Sequence, residues 1–463
     1  MAIELSNLTF TEQDDIVPAF GGIKILNTGI ANTLAGNDKI TGIGDNYGFE
    51  NLGVLNTDDG NDTIIGIRSE GRGSGISNIG TLNTGKGNDV ITGYGYYTRT
   101  GYYDGIYNSG TLNTGEGNDI IHCSGDEDGI TNEGTLNTED GNDTISAYGQ
   151  YNGIYNSGTL NTGEGNDVIT ANSILNFNGG TINTGSGEDS ITCTGSFINS
   201  GQVFLGHGND SIYVEYGSSG FGTENSNMID TGDGDDIITS GDGTEIFNSG
   251  TINTDNGEDS IISQGNFTNR GVVFLGEGND SIIAAYFSNY VLENFNAIET
   301  GDGDDIITTS SGVIYNEGVI NTGRGNDSII VDGGVEAPAT EYDTEYDIYN
   351  NGGAINMGDG NDSIIAHGGF ESGPNSSGAW FLGEGEDYIK GFGSGDFYGG
   401  NGNDTLELTP GTYTVGIWGE GGESPIFTKG NQLMITSEFE KLKAGGTTYD
   451  FASLTAGQII VVA

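Results

Sequence analysis

The chain repeats one short pattern of apolar, glycine and acidic positions sixteen times. In the clearest copy, residues 115–121 read Gly-Glu-Gly-Asn-Asp-Ile-Ile. Counted from the motif Asp, isoleucine follows two residues later, with leucine only in the last copy, and an apolar residue always stands seven residues earlier. The copies recur about every 24 residues, and such a period predicts a solenoid.

These columns predict an all-β fold, a parallel β-helix (β-solenoid) of about sixteen coils with one repeat in each coil. Coils stack at about 4.8 Å, so each column becomes a ladder of like residues, with the Ile and Leu columns inside. Asn stands eleven residues before the Asp in the first fourteen copies, which predicts a buried amide ladder. We expect an N-terminal cap at 1–24, the solenoid at 25–404 and a C-terminal cap at 405–463.

The Asp column needs a partner. Unit charges 4 to 5 Å apart repel by about 1 kcal/mol in water and by more near a protein surface. A calcium ion between successive coils would remove that repulsion, because carboxylates and turn carbonyls are the oxygen ligands that calcium prefers. The alternative is a solvated acidic corner in which each Asp only caps its own turn. The predicted metal ligands are Asp38, Asp62, Asp89, Asp119, Asp143, Asp167, Asp189, Asp210, Asp236, Asp259, Asp280, Asp305, Asp327, Asp362, Asp387, Asp396 and Asp404.

The motif resembles the hemolysin-type calcium-binding repeat, G-G-x-G-x-D-x-U-x, of bacterial RTX proteins. The resemblance covers residues 36–408 and implies calcium in glycine-rich turns and export by type I secretion. Family repeats follow one another every nine residues, whereas this chain has one motif per coil. Calcium would therefore occupy a single corner. Only the end shows the nine-residue spacing, in the glycine-rich segment that contains Asp396 and Asp404, and calcium is expected there above all.

Composition changes the picture in two ways. A net charge of −55, with 12 Lys and Arg against 67 Asp and Glu, excludes nucleic acid as a partner. The same charge predicts a chain that compacts only when divalent cations bind, outside the low-calcium cytosol. Cys123 and Cys193 are in phase but three coils apart, about 14 Å, which predicts buried free thiols and no disulfide.

The termini bear on localisation. No stretch is long and apolar enough to span a membrane, and residues 1–20 lack the basic and apolar regions of a secretory signal. The tail at 439–463 resembles the uncleaved signal of type I substrates. We therefore expect a secreted, extracellular or cell-surface protein.

One loop edge stands out as a possible ligand or partner site, because it concentrates positive charge beside tyrosines. An acidic sugar or a neighbouring subunit would suit it, and the alternative is a tyrosine-rich loop folded on itself. Its residues are Arg68, Arg72, Arg99, Tyr96, Tyr97, Tyr102 and Tyr103.

The sequence favours a calcium-binding structural or adhesive protein that associates with itself or with a cell-surface polysaccharide. A polysaccharide-active enzyme and a calcium-dependent glycan-binding adhesin are the alternatives, but His122, His207 and His367 lie on distant coils and form no catalytic set. Ice binding by outward Thr and Asn columns is a further class. It is disfavoured because those columns break at 204–205, 274–275 and 381–382.

Overall fold

A computed structural model describes residues 2–71, 73–95, 103–216, 221–285, 290–310, 312–332, 346–373, 378–419 and 424–463. The chain divides into two compact units, Met1–Ile237 (unit 1) and Ile238–Ala463 (unit 2). Each unit is a parallel β-helix with strands in three sheets, and together the units contain about 15 turns.

A coil contributes one strand to each sheet. In one coil of unit 1, Ile106–Asn108 is followed by Thr111–Asn113, by the turn that ends at Asp119, and by Ile120–Ser124. We name the three sheets after these strands: the Asn sheet, the Thr sheet and the Ile sheet.

Except for the first two and the last, the strands of the Asn sheet end at a buried Asn. In unit 1 they are Ile3–Glu4, Ile23–Ile25, Phe49–Asn51, Ile76–Asn78, Ile106–Asn108, Asp128–Asn132, Asn152–Asn156, Ile174–Asn176, Phe197–Asn199 and Phe221–Asn225. In unit 2 they are Glu245–Asn248, Phe267–Asn269, Tyr290–Asn294, Val313–Asn316, Ile348–Asn350 and Phe370–Ser372.

The strands of the Thr sheet precede the acidic turn. In unit 1 they are Ile30–Asn32, Val54–Asn56, Thr81–Asn83, Thr111–Asn113, Thr135–Asn137, Thr159–Asn161, Thr181–Asn183, Gln202–His207 and Met228–Asp233. In unit 2 they are Thr251–Asn253, Val272–Glu277, Ala297–Asp302, Val319–Arg324, Ala354–Asp359, Ala379–Gly385, Gly395–Gly402, Gly411–Trp418, Ser424–Lys429, Gln432–Ser437 and Ile459–Val462.

The strands of the Ile sheet follow the acidic turn. In unit 1 they are Ile16–Phe20, Lys39–Gly44, Thr63–Arg68, Val90–Gly95, Ile120–Ser124, Thr144–Tyr148, Val168–Ala171, Ser190–Cys193 and Ser211–Val214. In unit 2 they are Ile237–Ser240 (which begins at the last residue of unit 1), Ser260–Ser263, Ser281–Ala284, Ile306–Thr309, Ser328–Val331, Ser363–Ala366, Tyr388–Lys390, Thr405–Leu408, Lys441–Ala444 and Thr447–Asp450.

The prediction of an all-β parallel β-helix is confirmed. The helices in the described residues are two single-turn 3-10 segments, Leu5–Asn7 and Phe451–Ser453. Strand alternation turns one residue in two inward, and core side chains such as Leu112 and Ile121 are fully buried. Coils stack in exact register of sequence, Leu82 on Leu112 and Leu112 on Leu136, as the columns predicted.

A ladder of buried asparagines runs along the Asn sheet of each unit. The Nδ2 of Asn108 donates to Oδ1 of Asn132 at 2.8 Å and to the carbonyl of Thr135 at 2.9 Å, and Asn132 continues in the same way to Asn156. The fixed spacing of eleven residues was wrong in part. Insertions put Asn176 and Asn350 into the ladder, and Asn27, Asn178 and Asn351 lie outside it.

The regular pairing extends beyond both predicted boundaries. Ile16–Phe20, within the predicted N-terminal cap, pairs in parallel with Lys39–Gly44. Thr405–Leu408 pairs in parallel with Lys441–Ala444, within the predicted C-terminal cap. The C-terminal cap itself is antiparallel: Gly411–Trp418 pairs with both Ser424–Lys429 and Ile459–Val462.

The two cysteines confirm the prediction made for them. Cys123 and Cys193 are free and fully buried. Burial raises the pKa of both thiols, so neither is a reactive thiolate.

Two substitutions in one coil test the amide ladder. Asn132→Ala leaves one N–H of the buried Asn108 amide without an acceptor and removes the donor to Asn156, so we expect a loss of about 3 kcal/mol in unfolding free energy. Asn137→Ala removes a half-buried Asn whose Nδ2 donates to Asn113 at 3.1 Å, and should cost less than about 1 kcal/mol. Urea unfolding at one fixed calcium concentration measures both, and equal losses would contradict the ladder's role.

Candidate functional site: the acidic corner

The corner between the Thr and Ile sheets is a tight glycine turn. Gly115 and Gly117 have φ of 92° and 145°, values that favour glycine. A Cβ on Gly117 would lie 1.7 Å from the carbonyl oxygen of Gly87 in the preceding coil, so no side chain fits. Where another residue replaces the first glycine, it still adopts a left-handed φ of 59 to 68°; these residues are Leu34, Asp58, Glu139 and Asp255.

The motif aspartates form a continuous hydrogen-bonded column within each unit. The backbone N–H of Asp119 donates to Oδ1 of Asp143 at 2.7 Å, and the N–H of Asp143 donates to Oδ1 of Asp167 at 2.8 Å. The same bond, at 2.7 to 2.9 Å, joins every described pair of successive motif aspartates in unit 1 and in unit 2. Each Asp therefore caps the preceding coil and not its own turn.

The residue before each motif Asp forms a second column, in which the hydrogen bonds run in the opposite direction. The N–H of Asn142 donates to Oδ1 of Asn118 at 2.9 Å, and the N–H of Asn166 donates to Asn142 at 2.9 Å. Consecutive peptide N–H groups in extended backbone point to opposite neighbours, and here the sheet carbonyls do not reach them. The Asn-Asp pair supplies the missing acceptors on both sides.

The Asp column is buried, whereas the Asn column is exposed. The sixteen motif aspartates are at most 2% exposed. In fourteen of them Oδ2 is buried and accepts no hydrogen bond from the described residues. These are Asp38, Asp62, Asp89, Asp119, Asp143, Asp167, Asp189, Asp210, Asp280, Asp305, Asp327, Asp362, Asp387 and Asp404. The alternative of a solvated acidic corner is thus excluded by the position of the side chains.

Burial shifts the titration of these carboxyl groups. Loss of solvation is the largest effect, and bonds from backbone N–H groups oppose it. It raises the pKa to about 7 at Asp62, Asp143, Asp210, Asp280 and Asp362, and to about 6 at Asp119, Asp167, Asp327 and Asp387.

A buried threonine column lies beside the aspartates and was missed from the sequence. Thr57, five residues before Asp62, is fully buried, and its hydroxyl donates to the carbonyl of Thr84 at 3.0 Å. Strand alternation around Leu55 predicts this inward Thr, so the signal was present. Leu205, Leu275, Met357 and Leu382 take its place in four coils.

The column also extends past both ends of the motif. The N–H of Asp15 donates to Oδ1 of Asp38 at 2.7 Å, and the N–H of Asp404 donates to Oε2 of Glu440 at 2.7 Å. Neither segment has the glycines of the motif. The apolar residues two positions later, Val17 and Leu442, were the available signals.

Asp396 does not join the column. The N–H of Asp387 donates directly to Asp404 at 2.9 Å, so these two are successive members. Asp396 lies within the strand Gly395–Gly402, where it pairs with Ala379 and Ile435. The nine-residue spacing therefore arises from a strand and not from two turns, and calcium at Asp396 stays a prediction.

The donor set of the corner fits a hard cation. Oδ2 atoms that are buried without a hydrogen-bond donor have the chemistry of calcium ligands. No group of three or more His, Cys, Asp or Glu side chains suited to a metal occurs among the described residues. A cation at this corner would therefore be held by aspartates of successive coils together with turn carbonyls.

The predicted tyrosine and arginine edge is described only in part. Arg68 is fully buried: Nη1 donates to the carbonyl of Gly71 at 3.0 Å, Nη2 lies 3.5 Å from Oδ2 of Asp126, and the guanidinium lies 4.5 Å from the ring centre of Tyr103. Arg68 and Tyr103 thus pack together inside the unit. The other members of this edge lie outside the described residues: Arg72, Tyr96, Tyr97, Arg99 and Tyr102.

Comparison with known proteins gives a likeness to a solved structure. No protein-family model matches the chain, and no curated protein matches it. A solved structure, the X-ray crystal structure of a hyperactive, Ca2+-dependent, beta-helical antifreeze protein from an Antarctic bacterium, is 23% identical over 78% of this chain and 82% of that chain, with a TM-score of 0.40. A likeness of this extent carries no information on binding or activity.

None of the helices in the described residues is long and apolar enough to cross a membrane.

The raised pKa values predict an inverted pH dependence for the cation-free protein. Each carboxyl whose pKa rises from 3.8 to about 6 or 7 on folding stabilises the fold below pH 4, and that stabilisation is lost as pH rises through 6 to 7. In EDTA the melting temperature should fall steadily between pH 4 and pH 8. A melting temperature that rises over this range would show that the corner carboxylates are not buried as described.

Proposed function

We propose that this chain is a calcium-binding structural repeat protein whose folding depends on cations held along the Asp column. The observation that carries the proposal is the buried carboxylate in all sixteen copies, with one oxygen in fourteen of them that accepts no hydrogen bond from the described residues. An Asn would accept the same N–H through its amide oxygen without the cost of burying a charge. The residue before the Asp varies among Asn, Asp and Glu, so the fixed carboxylate at the buried position serves something beyond the turn.

The motif's resemblance to the RTX repeat supports the same proposal and adds an extracellular setting. Secretion of the type I class suits a chain with 86 glycines and a net charge of −55, which would remain expanded where calcium is scarce. Calcium outside the cell would then complete the fold. The proposal assigns the chain a structural or adhesive role and no catalytic activity.

Two charge-neutralising substitutions in one turn test the cation column. Asp143→Asn keeps an acceptor for the N–H of Asp119 but removes the buried charge, whereas Asp140→Asn removes an exposed charge three residues earlier. With saturating calcium, Asp143→Asn should bind one or two fewer ions and melt several degrees lower than Asp140→Asn. In EDTA at pH 8 the order should reverse, because the buried negative charge is gone.

Isothermal titration calorimetry gives the number of ions, and circular dichroism gives the melting temperatures. A wild-type chain that binds no calcium would refute the proposal. So would equal calcium binding by the two variants.

We further propose that calcium joins copies of the chain through the exposed rim of the same corner. Glu116, Asp140 and Glu164 are exposed carboxylates on three successive turns. Such a row repels a second copy at low calcium and is bridged when the ion binds between rows. Sedimentation velocity should show monomer in EDTA and larger species in millimolar calcium. Monomer at every calcium concentration would leave calcium with a folding role alone.

A further inference from the structure

A cluster of aromatic rings covers part of the outer face of the Asn sheet in unit 2. We call it the aromatic surface: Tyr290, Phe295, Tyr315, Tyr346 and Tyr349. Ring centres lie 5.2 Å apart for Tyr290 and Tyr315, 5.6 Å for Phe295 and Tyr315, and 5.4 Å for Tyr315 and Tyr349. Tyr346 stacks on Tyr349 at 6.5 Å. All five side chains are half-buried, so part of each ring meets solvent.

Polar groups hold the central ring of this surface. The hydroxyl of Tyr315 donates to the carboxylate of Glu317. The Nδ2 of Asn351 donates to the same hydroxyl at 3.0 Å and to Oε1 of Glu317 at 2.7 Å. Glu317 is exposed, and its remaining acceptor capacity faces the surface where a ligand would lie.

The opposite rim is also polar. The guanidinium of Arg270, which is exposed, lies 4.7 Å from the ring centre of Phe295. The hydroxyl of Thr268 donates to Oε2 of Glu293 at 3.3 Å. Apolar ring faces framed by fixed hydrogen-bonding groups are the usual lining of a binding site.

The fold does not require these rings. Tyr315 and Tyr349 stand at the outward position between a core residue and the ladder Asn, and they are neighbours in register. In unit 1 the same outward position holds small or polar residues in several coils, including Ser77 and Thr131. The neighbouring core side chains, such as Ile314, are fully buried in any case.

The chemistry of the surface selects a ligand class. Aromatic faces carry partial negative charge and attract the C–H groups on the flat side of a sugar ring, while carboxylate and amide groups bond sugar hydroxyls. A polyanion is disfavoured by the net charge of −55. We propose that the aromatic surface binds a neutral polysaccharide, with sugar rings against Tyr315 and Tyr349 and hydroxyls on Glu317 and Asn351. This site needs the folded chain but no cation in direct contact.

Affinity electrophoresis of the full chain in saturating calcium tests the proposal. Gels contain a soluble β-1,4-glucan, a galactomannan, a xylan or, as the polyanion, dextran sulfate, which stays soluble in calcium. We expect at least one neutral polysaccharide to retard the protein and dextran sulfate not to. Tyr315→Ala and Tyr349→Ala should each weaken retardation about tenfold, and Tyr315→Phe, which keeps the ring, less than threefold.

The matched control is Tyr107→Ala, which removes a tyrosine at the same outward position in unit 1. It should bind like wild type. If either alanine variant fails to fold, judged by circular dichroism, Asn351→Ala removes a rim group at the surface and should also weaken binding. No retardation in any neutral gel, retardation by dextran sulfate alone, or unchanged binding in the aromatic variants would overturn the site. Calcium stoichiometry on the same wild-type sample tests the cation column separately.

Discussion

Stacking each corner aspartate under the next is the constraint on which the rest of the structure depends. At strand spacing, every polar group of a corner meets its own copy above and below. A turn of this kind leaves two consecutive N–H groups without sheet carbonyls. Asp143 reaches back to the preceding coil for one of them, and Asn118 reaches forward to the following coil for the other. Once this pairing is fixed, the glycines must take positive φ and the following isoleucines must enter the core.

The same stacking creates a charge problem that hydrogen bonds do not solve. A bond from N–H to a charged acceptor contributes about 1.5 to 3 kcal/mol, whereas an ion buried without a counter-charge costs several kcal/mol. The cost of desolvation exceeds the gain from the hydrogen bonds, so the pKa values of these carboxyl groups rise toward neutrality. A proton or a cation that neutralises the column removes this cost. A proton does so in acid, and a divalent cation can do so at neutral pH.

Much of this architecture was readable from the sequence because the repeat carries it. The parallel coils, the inward Ile and Leu columns and the buried Asn ladder followed from fixed spacing within the motif. The errors came where the sequence spacing between two motif positions was assumed to be constant. Insertions of one or two residues moved Asn176 and Asn350 into the ladder, and the glycine-rich segment around Asp396 formed a strand. Glu440 closes the column without any glycine of the motif, so the apolar Leu442 two positions later was the one sequence signal for it.

Burial was harder to predict than register. A repeated acid suggests an exposed rim, and the sequence alone does not distinguish an inward from an outward carboxylate at a corner. Arg68 shows the same limit: a basic residue near a loop suggested a surface, and the structure places it inside beside Tyr103 and Asp126.

The division between fixed and free positions explains how one repeat can serve more than one purpose. The corner, the inward apolar columns and the ladder Asn are determined by stacking, and a change in one coil is felt by both neighbours. The outward positions of the Asn sheet are not constrained by stacking in this way. It holds Ser77 in one coil and Tyr315 in another without altering the pairing of either strand. Such outward positions are free to carry specific recognition. Two consecutive coils of unit 2 place Tyr315 and Tyr349 there, and Tyr290 of the preceding coil packs against Tyr315.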